Sequence, residues 1–336
     1  MSTVTRAQQA QQTTTKAWNE LTREPRGYWS MALYSLRHDW LTMTAIGVLC
    51  FLALISIAAP WICEHILHVD PNAVDAQNSF SPPYITAYIR WMIGLDHEGR
   101  AAKLLERSGG IPHWLGTDQL GRDQLARLLY GGRISLAIAF VASTITLVIG
   151  VSLGVIAGYY GRWVDDIIMW FINTMQSIPT IFLLLIVAAA FKPTATTLTV
   201  VLGFLGWMGA SRLIRGEVLS VKQRDYVLAA RAIGATNRRI MARHILPNAI
   251  PIIIILMAID VGTLILVESA LSFLGLGVQP PTATWGNMLT KAQSYFALGP
   301  WLVVFPGLFI TLTVLSLYLI GDGLRDALDP MMKGHR

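Results

Sequence analysis

Two carboxylates stand where the sequence is otherwise apolar: Asp260 and Glu268 fall inside the run Ile250–Leu271. An ionisable group in such a run is costly, so it signals a polar pathway or pairing with polar groups of a neighbouring subunit. Eight positions at about 100° each leave the two about 80° from eclipsed, so both border one broad helix face. Glu268 falls nearer the outer end of the run, where hydration makes its charge cheaper. Asn173 and Gln176 flank Ser177-Ile178-Pro179; the proline removes a backbone bond and should kink a helix there. Those two amides either line a pathway or join helices. Glu64, His65 and His68 read E-H-x-x-H without an evident third partner, so no metal site is expected. The G-x-x-x-x-G-K-[ST] pattern that cradles nucleotide phosphates is missing, as are H-E-x-x-H and any arguable Ser-His-Asp set. Any ATP chemistry must therefore reside in another chain.

The elements that position these groups follow from composition. The 336 residues are 54% hydrophobic and 14% charged, against about 25% charged in a typical soluble domain. Charge-free runs give six spans, roughly Leu41–Ile62, Ile134–Tyr160, Ile167–Phe191, Thr194–Ala210, Ile250–Leu271 and Trp301–Ile320. All must be helical, because lipid offers backbone groups no partners. The polar N-terminus lacks the apolar core of a cleaved signal, so the first span should stay as an anchor. Cys50 and Cys63 suit neither a disulfide framework nor a zinc site. Net charge is +6, but the cations sit beside apolar spans, which argues for membrane orientation and against nucleic acid.

Orientation follows from the shorter loops. Eight basic residues fall in 211–248: Arg212, Arg215, Lys222, Arg224, Arg231, Arg238, Arg239 and Arg243. The N-terminal tail carries five, whereas the loops after spans three and five hold only Lys192 and Lys291. Both termini and the 211–248 loop should face the cytoplasm. The expected organisation is a cytoplasmic tail (1–40), a first span (41–62), an outer segment (63–133), a core (134–320) containing a cytoplasmic loop (211–249), and a cytoplasmic tail (321–336).

Within the outer segment, Asp118 reads as an N-cap ahead of Leu120, Leu125, Leu128 and Leu129, with Asp123 and Arg127 as an i,i+4 pair. Gly131-Gly132 reads as the end of this short amphipathic surface helix. Gly150, Gly154 and Gly158, and again Gly203, Gly206 and Gly209, make small-residue stripes for close helix contact, within this chain or with another.

The cytoplasmic loop is punctuated as DYVLAARAIGATNRRIMARHILPNAIP, residues 225–251. Asp225 suits a first helical turn, and Ala229 and Ala230 give a face with little bulk. Gly234 permits a sharp turn, Asn237 to Ile245 form a second helical piece, and Pro247 marks entry to the fifth span. Charge placement explains the arginines but not the Ala-Ala, Gly and Leu-Pro.

Here the sequence resembles a known family. Ala229-Ala230, Gly234 and Ile245-Leu246-Pro247 look like the cytoplasmic EAA loop of ABC-importer membrane subunits, with Leu228 where that motif often has Glu. HWLGTDQLGRDQLARLLYGGRISL, LSFLGLGVQPPTATWGNML and LIGDGLRDALDP resemble the C-type permeases of dipeptide and oligopeptide importers, from about Tyr28 to Lys333. The resemblance implies an all-α, six-span type I importer fold (MetI-like) in the inner membrane, non-catalytic and without a cofactor of its own. It implies a homologous B-type permease partner, two cytoplasmic ATPases that carry ATP and Mg, and an external solute-binding protein. ATPase coupling would then fall to Asp225, Tyr226, Ala229, Ala230, Gly234, Ala235, Arg238, Arg239 and Pro247. A translocation path would involve Asn173, Gln176, Asp260 and Glu268. Similar importers carry nickel chelates or oligosaccharides. An ion-coupled secondary transporter is the other class, for which Asp260 alone makes a weak coupling site.

Overall fold

The computed structural model describes residues 28–95, 99–191, 194–290, 292 and 294–328. The N-terminal residues before 28, Lys192, Lys291 and the tail after 328 lie outside the described residues. A short helix α1 (Tyr28–His38) leads to α2 (Trp40–Ile57), which Asp39 caps by accepting from Leu41 N. A four-residue α3 (Ala59–Ile62) follows, and a π turn (Cys63–Leu67) lies beyond the first span. The outer segment contributes α4 (Tyr84–Met92) and α5 (Arg100–Arg107). Then come the long α6 (Gln124–Tyr160), α7 (Arg162–Gln176), α8 (Thr180–Ala190) and α9 (Ala195–Val221). The cytoplasmic pieces are α10 (Asp225–Ala232) and α11 (Asn237–Ile240), followed by α12 (Leu246–Phe273), α13 (Trp285–Leu289) and α14 (Trp301–Leu328).

Five helical stretches are long and apolar enough to cross a membrane, and α7 with α8 makes a sixth if that bent pair is one span. The expected kink at Pro179 is a full break: α7 and the next helix meet at 76°. Among the described residues no strand forms, and the sole β-bridge joins Thr117 to Asp123.

The core is built on α6. Its glycines are notches for α9: a Cβ at Gly150 would sit 2.8 Å from the Ala210 Cβ, and one at Gly154 2.6 Å from the Ser211 carbonyl oxygen. At Gly158 a Cβ would meet the Val218 Cβ at 2.8 Å. α9 reciprocates, with Gly203 against Ile145 and Gly206 against Thr146. Of the two openings the sequence left, contact within the chain is the one these glycines serve; Gly209 has nothing within 4 Å.

Several local readings are corrected. Gly131-Gly132 do not end a helix, because α6 runs unbroken through them. Their missing side chains admit Trp285: a Cβ on Gly132 would stand 2.7 Å from the indole, and one on Gly131 3.2 Å from Thr284. Buried Trp285 donates from Nε1 to Leu128 O at 2.9 Å. The expected surface helix is therefore the buried first turns of α6, and Leu120 precedes it. Its N-cap is Asp123, which accepts from Ala126 N at 2.8 Å, and not Asp118. Asp123 pairs with His113 at 2.8 Å rather than with Arg127, which leans on Asp118 at 3.7 Å. Asp123 spends Oδ1 on the Ala126 amide and Oδ2 on His113, and neither oxygen is given to Arg127.

Helix ends do not coincide with the ends of the apolar runs. α9 continues past Ala210 to Val221 because its cations find partners: Arg212 Nη2 donates to Asn173 Oδ1 at 2.5 Å, and Arg215 forks onto Asp165 at 2.5 Å. Paired cations do not terminate a helix. Pro247 stands in the first positions of α12, and the helical stretch is continuous with the preceding pieces from Asn237 to Phe273. The π turn Met241–Ile245 ahead of it absorbs the missing N–H of the proline.

Candidate functional site

The cytoplasmic stretch folds into a knuckle. α10 ends in a Schellman turn: Ala235 N donates to Ala230 O at 3.0 Å, and Gly234 N to Arg231 O at 3.0 Å. Gly234 takes φ +83°, the left-handed conformation that a side chain would strain. Thr236 then caps α11 by accepting from Arg239 N. The chain thus reverses within four residues and re-enters the membrane helix.

One side of the knuckle is anchored. Val227, Ile240, Ile245 and Ala249 are fully buried against Val155, Tyr159, Ile214, Val218 and Val221, at the ends of α6 and α9. Tyr159 donates its hydroxyl to Asn237 Oδ1 at 2.8 Å, while the Arg231 guanidinium lies 5.7 Å from the Tyr159 ring centroid. The other side is bare. Ile233 at the tip is 86% exposed, with Leu228 and Tyr226 also open. Asp225, Ala229, Gly234, Arg238, Arg239 and Pro247 are exposed, and Ala235 is half-buried. Ala229 and Ala230 do not share a face: successive helical residues step by 100°, so Ala230 is buried and Ala229 open. Sequence reasoning missed Ile233, although an isoleucine directly before the reversing glycine was its only available signal. One exposed isoleucine is ordinary, but Ile233, Leu228 and Tyr226 all open on one short knuckle mark it as an interaction surface.

The carboxylates of α12 have separate settings. Glu268 is entirely buried, accepting from Ser272 Oγ at 2.8 Å and Ser135 Oγ at 3.3 Å, and Ser135 Oγ in turn accepts from Trp285 N at 3.1 Å. The expected hydrated position near the outer surface is thus corrected: Glu268 knots α6, α12 and α13 together inside the chain. Asp260 is half-buried beside Ser143, and its Oδ2 has no hydrogen-bond partner among the described residues. The structure does not bring Asp260 and Glu268 to one open face.

Asn173 and Gln176 are both exposed at the end of α7, with Asn173 held by Arg212. A hollow of about 1170 Å³ lies between α9, α12 and α14, bordered by Glu217, Arg224, Pro251, Ile259, Tyr318 and Asp322. No group of three or more metal-ligating side chains forms among the described residues, so Glu64, His65 and His68 do not converge on a common point.

Comparison with known proteins adds to this geometry. Residues 150–334, more than half of the chain, match the family described as binding-protein-dependent transport system inner membrane component. Residues 27–83 match the N-terminal TM domain of oligopeptide transport permease C. The chain is 35% identical over 312 residues to the dipeptide transport system permease protein DppC of Bacillus subtilis, covering 93% of this chain and 88% of that protein. It is 43% identical over 221 residues to the DppC of Alkalihalophilus pseudofirmus, covering 66% of this chain and 73% of that one. With the oligopeptide transport system permease protein OppC of Bacillus subtilis it shares 31% over 314 residues, 94% of this chain and 93% of that protein.

Proposed function

The chain belongs to the binding-protein-dependent transport system inner membrane components, a non-catalytic permease family, and on that premise we propose that it forms half of the translocation pathway of an ATP-driven peptide importer in the cytoplasmic membrane. Relatives named for dipeptide and oligopeptide transport support the substrate class. Its termini and knuckle face the cytoplasm, as the cation-rich 211–248 loop argues. A homologous permease completes the pathway, a solute-binding protein delivers peptide from outside, and two ATPases supply ATP and Mg. The chain itself holds no nucleotide.

One observation carries the reading: an apolar, 86% exposed Ile233 stands at the tip of a knuckle whose inner face is locked into the membrane helices. Seated in a groove of an ATPase, Ile233, Leu228, Tyr226 and Ala229 lose water, while Asp225, Arg238 and Arg239 supply a charged rim. Motion of the ATPase passes through Ala235 and Pro247 into the unbroken helix Asn237–Phe273, because the buried anchor leaves the knuckle no hinge of its own. That helix carries Asp260 and borders the hollow through Pro251 and Ile259, so the same movement rearranges the proposed path, with Asn173 and Gln176 at the break of α7 and α8. Glu268 serves as the tie that keeps α6 and α12 moving together.

Co-purification tests this. Ile233→Asp and Gly234→Trp should abolish recovery of ATPase subunits while leaving the unfolding temperature of the membrane chain nearly unchanged for Ile233→Asp. Undiminished ATPase recovery with both variants overturns the docking assignment. Uphill uptake by this chain reconstituted without ATPases overturns the importer reading itself.

A further inference from the structure

At the opposite end of α6 from the knuckle, a cavity of about 150 Å³ lies between the loop before α6 and the segment around α13. That is about tenfold the ~15 Å³ needed to hold one water. Asp118, Arg122, Gln124, Arg127, Asn287 and Tyr295 are among its walls.

Its charges do not balance. Asp118 is saturated: Oδ1 accepts from Leu120 N at 2.8 Å and Arg122 N at 3.0 Å. Its Oδ2 takes Arg122 Nε at 2.7 Å and Arg127 Nε at 3.7 Å. Two guanidiniums, 8% and 4% exposed, therefore share one carboxylate. Beyond Asp118, Arg127 reaches only neutral acceptors among the described residues, Pro71 O at 3.3 Å and Asn72 Oδ1 at 3.4 Å. The nearby Asp123 is turned to His113 and to the Ala126 amide, and is not part of the wall. Among the described residues one buried positive charge is left without a carboxylate of its own, which low dielectric makes costly.

The donors are in surplus as well. Gln124 is 2% exposed, lines the cavity, and its Nε2 has no acceptor among the described residues. A buried donor with no acceptor loses its bonds to water and gains none in return. Asn287, by contrast, is spent: its Nδ2 donates to Val278 O and Thr282 O, and its Oδ1 accepts from Thr284 N. The cavity also lies at the N-terminus of α6, where the helix dipole favours negative charge.

We propose that this cavity is a binding site for a single free carboxylate, which neutralises the Arg122–Arg127 pair and accepts from Gln124 Nε2. The carboxylate comes from the chain end of a small peptide or from an acidic side chain. The proposal rests on the cavity alone and stands whatever the knuckle docks.

The full chain in nanodiscs is probed by saturation-transfer NMR with glycylglycine, glycylglycinamide and N-acetyl-aspartic acid α-amide. Both carboxylates should bind at least tenfold more tightly than glycylglycinamide. Tighter binding of glycylglycine assigns the site to a chain end, and the reverse order to a side chain. Gln124→Glu supplies the anion from within: it should abolish binding while keeping or raising the unfolding temperature. Equal binding of the amide, binding of neither carboxylate, or a Gln124→Glu protein that still binds or melts several degrees lower each overturns the proposal.

Discussion

Ser135 Oγ stands 3.3 Å from Glu268 Oε2, joining α6 to α12 across the buried core. Eight residues along each helix, Ser143 stands beside Asp260 in the same antiparallel register. The two serine–carboxylate steps are alike in spacing and opposite in circumstance. Glu268 is enclosed and doubly bonded, whereas Asp260 is half-open with one oxygen unpartnered.

Removing the enclosed carboxylate should therefore be a stability lesion. Glu268→Ala strands the Ser135 and Ser272 hydroxyls and leaves a cavity, at a cost of about 2–5 kcal/mol. Glu268→Gln keeps an acceptor oxygen and the volume, and should lose less than half of that. Thermal unfolding of the detergent-purified chain, followed by tryptophan fluorescence, separates the two. Equal losses from both variants would show that charge, and not the hydrogen-bonded knot, matters at this position.

Glycine substitutions on the α6–α9 seam should divide by position. Gly154→Ala puts a Cβ 2.6 Å from the Ser211 carbonyl oxygen, a backbone atom that cannot swing aside. Overpacking of this kind costs about 1–3 kcal/mol. Gly209→Ala meets nothing within 4 Å and should be neutral or stabilising by up to about 1 kcal/mol, as expected of glycine in a helix interior. The same melting assay checks both; indistinguishable melting points for the two variants would remove the glycines from the seam.

Much of this architecture was legible in the sequence because lipid makes local rules decisive. Apolar run length located the spans, and Gly234 with its flanking alanines located the knuckle. What escaped reading depends on partners far along the chain. Gly131-Gly132 look like a helix stop until Trp285 is seen to need their space, and no local pattern announces a residue that distant. Arg212 and Arg215 look like the end of a span until Asn173 is seen to accept from the first and Asp165 to pair with the second. Asp260 and Glu268 look equivalent on a helical wheel, and only the serines of α6 and the loop carrying Trp285 distinguish them. Ile233 was passed over because exposure, not residue type, makes it unusual.

Cys63 gives a pH signature outside the spans. Burial, then the nearby Asp123 and Asp70, push its thiol up from 9.0 to about 11. At pH 8 about one thiol in a thousand is ionised at that value, so maleimide should leave Cys63 unmodified in a Cys50→Ser background and react once the chain is denatured. The sign for stability follows. An acid whose folded value is raised binds its proton more tightly when folded, so its contribution is intact below pH 9 and lost as pH climbs from 9 towards 11. Cys63→Ala should flatten that part of the stability profile. Rapid native labelling at pH 8 would contradict the burial.

The open carboxylate should behave in the opposite sense from Glu268. Asp260→Asn keeps the volume and removes the charge of a half-buried group whose Oδ2 lacks a partner. Relieving an uncompensated charge should leave the unfolding temperature unchanged or raise it. The knuckle lies at the far end of the same helical stretch and touches none of the changed atoms, so recovery of ATPases should also be undiminished. Peptide uptake into vesicles carrying the assembled importer should nevertheless fall, because the proposed path runs past this carboxylate. The three readouts must move together in this pattern: full-rate uptake by Asp260→Asn would place the carboxylate outside the path, and a melting loss matching that of Glu268→Ala would make it a second structural knot.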